Sequence, residues 1–74
     1  MKQFDKNQKI QLICHIGRDN KIVNFTYETI DAVVDESMRG AVRSCLQTIA
    51  DDNYLYKSIS ANYNGKEIQV NLLD

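Results

Sequence analysis

The apolar residues of this chain change their spacing twice, and that change limits the fold more than any other feature. Over residues 9–16, KIQLICHI, they alternate: Ile10, Leu12, Cys14 and Ile16 share one face, with Gln11, Ile13 and His15 on the other. Residues 22–28, IVNFTYE, alternate again, placing Val23, Phe25 and Tyr27 together. Then the period lengthens. Ile30, Val34, Met38, Ala41, Val42, Cys45 and Ile49 recur at helical spacing. From residue 54 the period of two returns.

Two strand pairs around a helix predict the boundaries: a hairpin over 9–28, a helix over 29–53 and a hairpin over 54–73. In the first hairpin a turn centred on Asp19–Asn20 would set Ile16 against Val23, Cys14 against Phe25 and Leu12 against Tyr27. In the second, Asn64–Gly65 within YNGK is a strong hairpin signal. It sets Ala61 against Ile68 and Ile59 against Val70, with Leu55 on the same apolar face. Ser58 then faces Asn71, Tyr56 faces Leu73, and Lys57 falls opposite Leu72 at an edge, where its stem can snorkel. Thr29 or Asp31 is expected to cap the helix, Asn53 to end it, and Gly40 to mark a kink or a close backbone contact. The expected fold is α+β: a two-layer ββαββ domain over 1–74, one long helix packed on a four-stranded antiparallel sheet.

A chain of 74 residues buries roughly 60% of the surface its unfolded form exposes, so modest stability and help from a partner subunit are expected. Two cysteines make no disulfide framework, and no Cys/His spacing suggests zinc. MKQFDKNQK carries no apolar run, and no apolar stretch could cross a membrane, so a reducing cytoplasm is the expected location.

The single histidine lies beside a cysteine in CHIGRDNK. Strand neighbours point to opposite faces, so Cys14 and His15 are not expected to act on one substrate. Cys14 and Cys45 are both expected in the core as small hydrophobes. Asp35–Glu36 and Asp51–Asp52 are neighbours at helix ends rather than facing pairs, and Gly17, Gly40 and Gly65 are too scattered to cradle a phosphate. The sequence therefore offers no catalytic residue, no cofactor or metal site, and no enzymatic role.

Two surfaces stand out instead. One helix covers one face of a sheet, which leaves Ile13, His15, Tyr54, Tyr56 and Leu73 on the other as a candidate interface. A homodimer is expected, formed by stacking that face or by pairing an edge strand. The alternative is nucleic acid. Residues 1–21 hold five basic and two acidic groups, and Lys9, Arg18 and Lys21 of the first hairpin with Arg39 and Arg43 of the helix could meet phosphates. Against that, the chain is acidic overall at −1, and Asp35 and Glu36 are spaced to pair with Arg39. The expected function is binding of another, unidentified protein as a regulator or inhibitor, the class to which small phage-encoded proteins directed at host defence belong.

Overall fold

The computed structural model describes residues 3–16, 18–19 and 21–73, with the backbone alone at Ile16. The expected fold is present: β1 (Lys9–Ile16), β2 (Lys21–Tyr27), a 3₁₀ turn (Ile30–Ala32), α1 (Glu36–Asp51), β3 (Ser58–Tyr63) and β4 (Lys66–Leu73). The strands form one antiparallel sheet in the order β2-β1-β4-β3. The central strands β1 and β4 join the two hairpins, with Leu12 opposite Val70 and Cys14 opposite Ile68. Ile10, Leu12, Cys14, Ile68 and Val70 from these strands are buried with Ile30, Val42, Cys45 and Leu46 in one cluster. Each fully buried aliphatic of this kind is worth about 1.5–3 kcal/mol, so two strands and one helix face carry most of the hydrophobic stabilisation.

The second hairpin matches its expected register at Ala61–Ile68, Ile59–Val70 and Ser58–Asn71. Asn64 and Gly65 both have positive φ, as the tight turn demands. The first hairpin is displaced. Leu12 faces Phe25 and Cys14 faces Val23, two residues from the expected pairing, and the turn centres on Arg18–Asp19. Asn20, expected as half of that turn, lies outside the described residues, as does Gly17. A shift of two preserves every side chain's face, so alternation alone cannot distinguish the registers. The observed one sets Ile10 against Tyr27, whereas the expected one would have set it against Thr29. It also brings Lys9 Nζ within 3.7 Å of Glu28 Oε1.

The helix starts later than residue 29. Val33 and Asp35 both have extended backbone, and Asp35 rather than Thr29 or Asp31 is the N-cap, its Oδ1 accepting from Met38 N–H at 3.1 Å. A 3₁₀ turn has three residues per turn, so Ile30 and Val33 fall on the same side and both are buried. Helical spacing had put Val34 inward; it is 91% exposed. At the other end Asn53 and Tyr54 both adopt positive φ, and their N–H groups donate to Ala50 and Ile49 carbonyls, which ends the helix as expected. The segment after them delays β3 until Ser58. Leu55 is therefore exposed rather than inward, and Lys57 is exposed at the edge while its carbonyl accepts from Leu72 N–H.

Gly40 is not explained by a close contact, because a Cβ built there meets nothing within 4 Å. Gly40→Ala should stabilise the protein by about 0.5–1 kcal/mol, while Asp35→Ala should cost about 1 kcal/mol. Urea denaturation checks both, and equal loss from Thr29→Ala would contradict the assigned cap.

Candidate functional site

α1 lies mainly over β3 and contacts β4 less. A helix is about 10–12 Å across, whereas four strands at about 4.8 Å spacing set the edge axes about 14 Å apart. The helix-side residues Ile10, Leu12 and Cys14 of β1 are buried, whereas those of β2 stay half-buried or exposed. The result is a cleft of about 430 Å³. Its floor is Leu12, Cys14, Phe25, Tyr27 and Ile68; Val33, Val34 and Met38 border it from the helical layer, and Tyr63, Asn64 and Lys66 from the second hairpin. Phe25 and Tyr27 stack, with ring centroids 6.2 Å apart and planes 24° from parallel. Phe25 remains 39% exposed.

By their spacing alone Leu12, Cys14, Phe25, Tyr27, Val34, Met38 and Ile68 are ordinary core residues. The available signal was a count of strands: four inward apolar stripes exceed what one helix can cover.

The opposite face of the sheet is not a contiguous apolar patch. Gln11, Ser58, Gln69 and Asn71 form a hydrogen-bonded group across three strands. Ser58 Oγ donates to Asn71 Oδ1 at 2.6 Å, and Gln69 Nε2 donates to the same oxygen at 3.0 Å and to Ser58 Oγ at 3.1 Å. Asn71 Nδ2 donates to Gln11 Oε1 at 3.1 Å. Ile13 is on this face, but its cross-strand neighbours are Asn24 and Gln69. His15, half-buried, faces Ile22 near one end of β1, and Leu73 faces Lys9 at the other. Tyr54 is not on the sheet: its hydroxyl accepts from Asp5 N–H at 3.1 Å and holds the N-terminal segment. Tyr56 lies in the connection before β3, exposed, and does not pair with Leu73. The five residues expected to form one interface are therefore dispersed.

The basic residues are dispersed as well. Lys9 opens β1, whereas Arg18 and Lys21 lie at its far end, about 25 Å away for an eight-residue strand. Arg39 is half-buried, and its Nη1 donates to Val33 carbonyl at 3.1 Å. Among the described residues no ion pair of Arg39 with Asp35 or Glu36 is formed; Asp35 is occupied in capping. Arg43 is exposed one turn further along α1.

Cys14 and Cys45 are both buried free thiols. Cys14 and His15 both border the cleft, although His15 springs from the opposite side of the strand. Among the described residues no group of three or more His, Cys, Asp or Glu could hold a metal ion, and no helix is long and apolar enough to cross a membrane. In comparisons with family models, curated proteins and solved structures, none matches this chain.

Burial pushes the Cys45 thiol above its ordinary range. A folded-state pKa above the unfolded value gives stability that is present below the unfolded pKa and lost as pH rises. Wild type should therefore lose more stability than Cys45→Val between about pH 8.5 and 10. Parallel pH profiles from chemical denaturation would contradict the assignment.

Proposed function

We propose that the protein is a binding module rather than an enzyme, and that it takes an apolar segment of another protein into the cleft over β1 and β2. The observation that carries this reading is the apolar cleft itself, with Val34 projecting almost fully exposed beside a half-exposed Phe25. A volume of about 430 Å³ lies within the range of sites that enclose a ligand or several side chains. Its rim carries Asp35 and Lys66, both exposed, which suits an apolar segment with polar flanks. Binding of this kind serves a regulator or inhibitor acting in the cytoplasm; a phage-encoded inhibitor of host defence is one such case, suggested by size alone. Nucleic acid is the weaker reading, because the charges it needs do not share a surface.

The test is selection of a random peptide library on the immobilised folded protein, followed by anisotropy with a labelled selected peptide. Apolar peptides should be enriched, and Val34→Asp should weaken the labelled peptide at least about 10-fold, corresponding to about 1.4 kcal/mol. Failure to enrich any peptide, or equal binding by Val34→Asp, would overturn the proposal. If salt-sensitive retention on RNA or DNA appears instead and is lost in the double variant Arg39→Gln and Arg43→Gln, the nucleic-acid reading replaces it.

A further inference from the structure

The two edges of the sheet differ in what lies beside them. α1 covers the inner face of β3, and the outward positions of that strand are Ser58, Ser60 and Asn62. β2 has no strand beyond it and little above it. It is also lightly blunted for an edge: the chain has no proline, and of the groove-side residues Val23, Phe25 and Tyr27 are uncharged, Lys21 standing only at the end of the strand. We propose that β2 pairs with β2 of a second copy, antiparallel about a twofold axis through Asn24, to give one continuous sheet of four strands from each copy.

The strand is self-complementary in two respects. First, the axis fixes the partners: Val23 meets Phe25 of the second copy, Ile22 meets Thr26, and Lys21 meets Tyr27. Opposed residues then share a face, so half-exposed Phe25 is covered by a β-branched neighbour twice, once in each copy. Second, the charges suit an antiparallel arrangement. Lys21 opens the strand and Glu28 follows it, so the basic end of each copy meets the acidic end of the other. Glu28 remains 82% exposed while holding Lys9, which leaves room for a second ammonium. A parallel arrangement would bring like charges together.

A twofold of this kind runs perpendicular to the sheet, so both helices lie on one side. The two clefts then open on the same face, either side of the junction. The second copy at β2 and the peptide in the cleft are separate occupants of adjoining surfaces.

Sedimentation equilibrium from about 5 to 300 µM should show wild type passing from monomer to dimer. Asn24 is exposed in one copy, so Asn24→Lys should leave the circular dichroism and melting of dilute protein unchanged. On the axis it sets two ammonium groups together and should weaken the dimer at least 10-fold. Asn24→Cys should form a disulfide-linked dimer on mild oxidation, because residues on such an axis have Cα atoms about 4.5–5.5 Å apart. Ser60→Lys, on the other edge, should leave the dimer intact. Monomeric wild type at the highest concentration, a dimer indifferent to Asn24→Lys, an Asn24→Cys variant that does not cross-link, or a dimer dissolved by Ser60→Lys would each overturn the proposal. Loss of the dimer leaves peptide binding in the cleft standing, and Val34→Asp should lose the peptide while keeping the dimer.

Discussion

One helix must cover four strands, and it is too narrow to do so. A helix of 16 residues, about 24 Å long and about 10–12 Å wide, lies mainly over β3 and shares one buried cluster with the inner side chains of β4 and β1. It does not also bury β2, where Val23 and Tyr27 stay half-buried and Phe25 is exposed. The chain meets this shortfall by breaking the helical region at Val33–Asp35 and laying a 3₁₀ turn toward the uncovered half. That detour buries Ile30 and Val33 but presents Val34 to water, and the coverage remains incomplete. The cleft, the half-exposed Phe25 and the uncovered edge all follow from this mismatch of widths.

The other face of the sheet solves its exposure differently. Its central positions are amides and a hydroxyl that satisfy one another, so the face can remain in water without an apolar patch. Stripping water from such a network gains little apolar area and risks leaving amides unpaired, each at a cost of about 1–3 kcal/mol. Association is therefore favoured on the helix side of β1–β2, where the exposed side chains are apolar and few polar groups must be desolvated. The proposed binding surface and the incomplete packing occupy the same half of the molecule.

Much of the fold was legible because strand parity and helical period are direct consequences of backbone geometry. The Asn64–Gly65 turn fixed one register to the residue, since only a narrow set of turns closes that hairpin. Around Arg18–Asp19 the turn chemistry was less demanding, and a two-residue slip left the face of every side chain unchanged. Asp35 was visible as an early helical residue, but its competition for Met38 N–H, which places it outside the helix, was not. Tyr54 and Tyr56 were misplaced because two consecutive positive φ angles at Asn53 and Tyr54 displace the start of β3. The cleft was legible only as a sum. Each of Phe25, Tyr27, Val34 and Met38 looks like core when read alone, and only the comparison of four strands with one helix shows that they cannot all be covered.

The central claim is that the apolar cleft on the helix side of β1–β2, and not the opposite face where Ile22 is exposed, is what takes an apolar ligand. The most direct measurement is a two-dimensional NMR titration of isotopically labelled protein with the apolar dye anilinonaphthalene sulfonate. The account predicts shifts confined to Phe25, Tyr27, Val33, Val34 and Met38, with Ile13 and Leu73 unmoved. Shifts centred on Ile13, Gln69 and Leu73 would contradict it.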